Sequence, residues 1–189
     1  MTGYDSHATS GPGWPELHTK IVDLPALATA VQQARQAGKT IVHCHGCFDI
    51  VHPGHIRYLQ FARQQGDLLV VSLTGDAQID KGPTRPYIPQ ELRAENLAAL
   101  QLVDYVYVNP HPTAAQLIAA IRPDVYVKGH EYQNATDPGF VREQQAVEAC
   151  GGRVIFSSGE VVFSSTKLIE RLSQSQQLEY ERLAAIALG

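Results

Sequence analysis

Residues 43 to 55 hold an unusual concentration of side chains that can carry chemistry. The stretch reads HCHGCFDIVHPGH and contains four of the eight histidines and two of the three cysteines of the chain. His52 and His55 are three residues apart, so both imidazoles share one side of a first helical turn if a helix begins at the intervening proline. Two imidazole donors beside the N–H groups and the positive end of a helix are typical of a phosphate site. We therefore predict that His52 and His55 bind phosphate and that Gly46 and Gly54 let it approach the backbone closely.

Metal binding and redox chemistry are the other uses of such a stretch. A structural zinc site needs four ligands, usually in two close pairs, and Cys44 and Cys47 have no second pair downstream. A redox pair needs its cysteines at the start of a helix, whereas these two straddle the end of a predicted strand. We predict that Cys44 packs as a small apolar residue and that Cys47 lines a loop. The simpler alternative for the histidines is that His52 only caps a helix and that His55 is an ordinary surface residue.

The elements that must position these residues alternate between strand and helix. Apolar residues at helical spacing, with cap residues such as Asp23 and Thr113, predict helices over 20–39, 55–66, 89–103, 113–122 and 139–150. Short apolar runs predict strands over 40–44, 67–74, 104–109, 124–129 and 151–158. This alternation predicts an α/β fold, a Rossmann-like, doubly wound, open parallel sheet with helices on both faces. Ligands of such sheets bind at the carboxyl ends of the strands, where the histidine stretch lies.

Size and composition limit the possible functions. A chain of 189 residues predicts one domain, here residues 20–173, after a polar tail (1–19) and before a terminal helix or linker (174–189). No apolar run is long enough to span a membrane, and a net charge of −4 without a basic cluster argues against nucleic acid. The start of the chain does not resemble a secretory signal, and three cysteines suit a reducing compartment. We expect a cytoplasmic protein with small-molecule ligands.

Four stretches together resemble the nucleotidyltransferase superfamily with the His-x-Gly-His motif. They are GCFDIVHPGH at 46–55, DKGPTRP at 80–86, RPDVYVKGHEY at 122–132 and FSSTKLI at 163–169. In this order and spacing they are most similar to the nucleotidyltransferase domain of ADP-heptose synthases, and the resemblance spans residues 20–173. His45 departs from that pattern, because the heptose enzymes usually have asparagine there. Thr74, Gly75 and Asp76 stand where those enzymes commonly have Asn-Ser-Asp.

The resemblance implies transfer of a nucleotidyl group, with AMP favoured, from a nucleoside triphosphate to a phosphorylated sugar such as heptose 1-phosphate, with release of pyrophosphate. It implies catalytic roles for His52, His55 and Lys81. The predicted nucleotide-binding residues are Gly46, Cys47, Phe48, Gly54, Lys128, Gly129, Ser164, Ser165 and Thr166. The predicted acceptor-binding residues are Asp49, Thr74, Asp76 and Arg85.

The resemblance also implies Mg²⁺, held mainly by the phosphates of the nucleotide, with no metal site formed by the protein itself. Relatives are commonly homodimers, and we expect the same here. Two alternatives remain open at this stage. One is a CTP-dependent cytidylyltransferase that acts on a polyol phosphate, a sugar phosphate or a phosphonate. The other is a nucleotide-binding regulatory module without turnover, which would not need charge stabilisation confined to a transition state.

Overall fold

Strands and helices alternate along the whole described part of the chain. The computed structural model describes residues 19–80 and 85–157. Its strands are β1 (Ile41–Gly46), β2 (Leu68–Thr74), β3 (Tyr105–Asn109), β4 (Val125–Lys128) and β5 (Arg153–Phe156). Its α-helices are α1 (Leu24–Gln36), α2 (Pro53–Arg63), α3 (Gln90–Ala98), α4 (Ala115–Ile121) and α5 (Pro138–Ala149). Short 3₁₀ turns over Asp76–Gln78 and His130–Tyr132 follow β2 and β4.

The five strands form one parallel sheet in the order β3-β2-β1-β4-β5. The chain winds outward from β1 through β2 to β3, and then returns to the other side of β1 for β4 and β5. The direction of winding reverses between β1 and β4, and this reversal opens a crevice beyond the carboxyl ends of these two strands. The predicted Rossmann-like α/β fold with an open parallel sheet is confirmed.

Two apolar cores cover the faces of the sheet. On one face, α2 and α3 pack against residues such as Val42 and Val71. On the other face, α1 and α4 pack against Ile41 and Val70, and α5 packs beside α4. Strand β2 is buried from Leu68 to Leu73, as expected for a strand that contributes side chains to both cores.

The helix ends show which local predictions hold. The Asp23 carboxylate caps α1 by accepting a hydrogen bond from the Ala26 N–H at 2.9 Å, and Gly38 adopts a positive φ of 73° just after this helix, as a stop residue should. The predicted cap of α4, Thr113, is off by one residue, because the N-cap is Ala114. The Thr113 hydroxyl accepts a long hydrogen bond from the Ala115 N–H at 3.4 Å, and the Ala114 N–H donates to Oε1 of Glu143 at 2.9 Å. Sequence spacing cannot reveal this second acceptor, because it comes from a neighbouring helix.

Several predictions lie outside the described residues. They concern the tail, the terminal segment (174–189), the predicted catalytic role of Lys81, and the predicted nucleotide binding by Ser164, Ser165 and Thr166. Within the described part of the chain, no helix has the length and apolar character needed to cross a bilayer.

Candidate active site

A cavity of about 220 Å³ opens beyond the carboxyl ends of β1, β2 and β4. Predicted site residues from three separate stretches line it, namely Gly46, Cys47, Thr74 and Lys128. Residues that were not predicted also line it, among them His45, Thr113, Tyr132, Asp137 and Glu143. The structure therefore brings together, at one edge of the sheet, residues that are up to about 100 positions apart in sequence.

His52 and His55 lie at the same edge, where α2 begins. The helix starts at Pro53, and Nδ1 of His52 accepts a hydrogen bond from the Gly54 N–H at 3.1 Å. The two imidazole rings stack with 3.9 Å between their centroids and 27° between their planes. The Phe48 ring lies 5.2 Å from that of His55 and supports the pair from one side. The predicted pairing of two imidazoles on the first turn of a helix is present.

Capping and phosphate binding are compatible roles for His52, because they use different ring nitrogens. Burial lowers the pKa of His52, which favours the neutral ring. Nδ1 accepts the Gly54 N–H, so the single proton of the neutral ring resides on Nε2. The cap thereby fixes the tautomer that presents an N–H donor from Nε2. The simpler interpretation of His52 as a cap is correct for one nitrogen and leaves the other for a ligand.

Asp49 braces the loop that follows β1 against the segment around Arg85. Its Oδ1 accepts hydrogen bonds from the N–H groups of Tyr87 and Ile88 at 2.9 and 3.0 Å. Its Oδ2 lies 2.6 Å from Nε of Arg85, with the two side chains 1% and 9% exposed. Both residues were predicted to bind the acceptor, and in this structure they bind each other. Their contact with the acceptor remains a prediction.

Arg93 is a site-organising residue that the sequence reasoning missed. Its fully buried guanidinium donates to three main-chain carbonyls, those of Cys47, Thr74 and Ile88, and also pairs with the carboxylate of Asp76. These contacts tie the loops after β1 and β2 to the start of α3. A signal was present, because an arginine stands four residues before Leu97 on the buried face of that helix. Asp76, predicted to bind the acceptor, is held by this arginine.

Glu143 was also missed, and it organises the cavity floor from α5. Its Oε2 accepts from the Tyr126 hydroxyl at 2.8 Å and from the Lys128 ammonium at 3.0 Å. Burial alone would raise the pKa of this carboxyl, but the Lys128 charge, His45 and the donors from Ala114 and Tyr126 hold it below the usual value. Lys128 also lies 4.3 Å from the centre of the Tyr132 ring. The lysine charge is thus oriented into the cavity by a carboxylate and an aromatic ring.

Glycines allow close approaches at the predicted nucleotide positions. A Cβ on Gly129 would lie 2.3 Å from the carboxylate of Glu131, and one on Gly46 would lie 3.2 Å from the Phe48 ring. Gly54 is the second residue of α2. A Cβ at Gly46 or Gly129 would therefore require the Phe48 ring or the Glu131 side chain to shift.

The described residues do not form a metal site of their own. No group of three or more histidine, cysteine, aspartate or glutamate side chains in this part of the chain could hold a metal ion. Asp49 and Asp76, two carboxylates in the loops after β1 and β2, are each engaged by an arginine. The fit between these side chains and a protein-held Mg²⁺ is therefore poor.

Comparison with known proteins identifies the family. A family model described as cytidylyltransferase-like matches residues 43–171. The bifunctional protein HldE of Syntrophotalea carbinolica is 43% identical over 83% of the chain, and that of Geotalea uraniireducens is 42% identical over 87%. The alignments cover 32% and 33% of those two proteins, so the chain spans about a third of the length of the curated relatives it matches.

Solved structures agree with this assignment. A lipopolysaccharide core biosynthesis protein from Thermoplasma volcanium matches 62% of the chain and 93% of its own length, with 25% identity and a TM-score of 0.51. Pantoate-beta-alanine ligase from Francisella tularensis shares the fold at 16% identity, over 72% of this chain and 66% of its own, with a TM-score of 0.52. The resemblance to nucleotidyltransferases is confirmed, and the chain belongs to the cytidylyltransferase-like family.

Proposed function

We propose that this chain transfers a nucleotidyl group, with AMP favoured, from a nucleoside triphosphate to a phosphorylated sugar such as heptose 1-phosphate and releases pyrophosphate. The observation that carries the proposal is the stacked His52–His55 pair at the start of α2, on the same sheet edge as the cavity that holds Lys128. Family membership and the similarity to HldE proteins support this reaction class and this acceptor class.

The chemistry needs no nucleophilic side chain. An oxygen of the acceptor phosphate attacks the α-phosphorus, the new P–O bond forms, and the bond to pyrophosphate breaks with its electron pair leaving on the pyrophosphate oxygen. The protein must align two anions and stabilise the charge that grows on the α-phosphoryl oxygens and the leaving group. We assign this role to the Nε2–H of His52 and to His55, whose ring stacks on that of His52.

The charged and polar groups of the site lie in two regions, one for the nucleotide phosphates and one for the acceptor. The start of α2 supplies imidazole donors and the positive end of a helix for the nucleotide phosphates. The cavity offers the Lys128 ammonium for the acceptor phosphate, with the Glu143 and Asp137 carboxylates among its other lining groups. A cation for phosphate beside oxygen acceptors for hydroxyl groups is the set that a sugar phosphate requires. The proposal thus extends the predicted role of Lys128 from the nucleotide to the acceptor.

Three further parts of the proposal rest on the resemblance to nucleotidyltransferases. Mg²⁺ accompanies the triphosphate and is coordinated by its phosphates and water. Lys81 and Arg85 assist with phosphate charge, and Ser164, Ser165 and Thr166 bind the distal phosphates. The chain acts in the cytoplasm. It forms a homodimer, and light scattering during size-exclusion chromatography tests this oligomeric state directly.

The decisive experiment measures pyrophosphate release over a grid of four nucleoside triphosphates and a panel of sugar 1-phosphates and polyol phosphates. We expect release with ATP and a heptose 1-phosphate. His52→Ala and His55→Ala should each reduce turnover roughly 100- to 1000-fold, the usual cost of one preorganised donor. Gln60→Ala, an exposed position on the same helix, serves as the matched control. Release with CTP alone would move the assignment to a cytidylyltransferase, and no release with any pair would refute the proposal.

A further inference from the structure

A chain of buried hydrogen bonds leads from the interior of the sheet to the cavity through His45. His43 and His45 are on β1, and Ser72 is the partner of His45 in the β1–β2 register. The Ser72 hydroxyl lies 2.8 Å from Nε2 of His43 and 2.8 Å from Nδ1 of His45. His43 and Ser72 are fully buried, and His45 is 9% exposed where it lines the cavity. One hydroxyl therefore serves two imidazole rings.

Both rings are neutral near pH 7. Burial lowers the pKa of His45 to about 4, and Lys128 contributes in the same direction, against the opposing effects of Glu143 and of a hydrogen bond with the Ser72 main chain. Burial likewise holds the pKa of His43 well below its usual value. Each ring consequently carries one N–H and one bare nitrogen. The question is which nitrogen of His45 carries the proton.

The surroundings of His43 decide which groups donate and which accept in the hydrogen bonds from His43 through Ser72 to His45. Ser72 has one proton, so it donates to one ring and accepts from the other. Among the described residues, Nδ1 of His43 is buried without a hydrogen-bond partner. A buried N–H without an acceptor is rarer in folded proteins than an unused acceptor, so the His43 proton belongs on Nε2, where it donates to Ser72. Ser72 then donates to Nδ1 of His45, which leaves the His45 proton on Nε2.

The contacts of Thr74 on the other side of the His45 ring also place the His45 proton on Nε2. Its hydroxyl lies 3.4 Å from the main-chain carbonyl of Gly46, which can only accept, so the Thr74 proton is directed there. Towards Nε2 of His45, at 3.5 Å, the Thr74 oxygen can then only accept. An Nε2–H donor is the arrangement that satisfies both contacts. At this distance the contact is weak, and a ligand oxygen can replace it at little cost.

We propose that His45 is a specificity-determining residue, whose Nε2–H, fixed by Ser72 and Thr74, donates a hydrogen bond to an oxygen of the sugar acceptor in the cavity. The inference rests on the proposed function, since it names a contact made by the acceptor of that reaction. His45 faces the cavity alongside Lys128 and Tyr132, so a phosphate on Lys128 would place the sugar within reach of the imidazole.

Three variants and the ¹⁵N chemical shifts of the imidazole rings test this proposal. His45→Leu removes the donor, His45→Gln restores an N–H near the position of Nε2, and Ser72→Ala releases the tautomer. We expect His45→Leu to raise the acceptor KM about 5- to 10-fold, with the nucleotide KM unchanged and partial recovery in His45→Gln. Imidazole ¹⁵N shifts, assigned by difference against His45→Leu, should show the Nε2–H tautomer in the wild-type chain and a mixture in Ser72→Ala.

Binding of a sugar 1-phosphate without nucleotide separates this inference from the proposed function. An inactive chain that binds sugar phosphate more weakly in His45→Leu would refute the proposed function and keep the His45 contact. An active chain with an unchanged acceptor KM in His45→Leu, or an Nδ1–H tautomer in the wild type, would refute the His45 contact and keep the function. A chain that neither binds nor turns over a sugar phosphate would refute both. Circular dichroism melting checks that each variant is folded.

Discussion

Replacing Glu143 by glutamine should strongly destabilise the fold, because it leaves the Lys128 ammonium without its counter-ion. The two side chains are only 4% and 6% exposed, so solvent screens little of their interaction. The new amide can still accept the Ala114 N–H, and the Tyr126 hydroxyl can reverse and accept from it. The main loss is therefore the unpaired lysine charge. Removing one partner of a buried pair typically costs about 3–5 kcal/mol, and the open cavity beside Lys128 favours the lower end of that range.

Urea unfolding followed by circular dichroism measures this loss. We expect Glu143→Gln to lower the free energy of unfolding by about 3 kcal/mol without a change in the urea slope. Glu148→Gln, on the exposed face of the same helix, should stay within about 0.5 kcal/mol of wild type. Adding Lys128→Met to Glu143→Gln removes the orphaned charge and should recover most of the loss. Wild-type stability in Glu143→Gln, or no recovery in the double variant, would show that the pair does not hold the cavity floor.

Three further predictions concern the polar groups around the site. Because the pKa of His45 is about 4 when folded and 6.5 when unfolded, the unfolded chain binds the extra proton first as the pH falls. Stability should thus drop below pH 6.5, with His45 contributing about 2 kcal/mol of loss at pH 5 relative to pH 8. His45→Asn should remove that part of the slope in urea unfolding across pH, and parallel slopes would contradict the assignment. Arg93→Lys should cost about 2–4 kcal/mol of unfolding free energy in the same assay, since the three N–H groups of an ammonium sit on one atom and cannot reach the three carbonyls and the Asp76 carboxylate that the guanidinium bonds. A cost below about 0.5 kcal/mol would exclude the bridging role. Tyr58→Phe should cost about 1 kcal/mol by losing the hydroxyl bond to the Val127 carbonyl, and an unchanged unfolding midpoint would show that this bond is not stabilising.

Much of the fold was predictable because its signals are local. Strand β2 is an apolar run interrupted only by Ser72 before its final Thr74, and a strand with both faces covered needs a mostly apolar run. Asp23 caps α1 through a bond that spans three residues, and the pairing of His52 with His55 follows from the pitch of a helix. The alternation of elements then restricts the sheet to parallel crossovers, which places the histidines at its ligand-binding edge.

The sequence by itself determined the element types, the family and the pairing of two histidines at the start of a helix, because each depends on neighbours along the chain. Only the tertiary structure assigned partners to charged groups. It paired Asp49 with Arg85, placed Arg93 beneath two loops, and brought Glu143 under Lys128. The position of the proton on His45 also depends on the tertiary structure, because it is set by a serine hydroxyl from the adjacent strand. Buried polar groups must find partners wherever the fold supplies them, and those partners are distant in sequence.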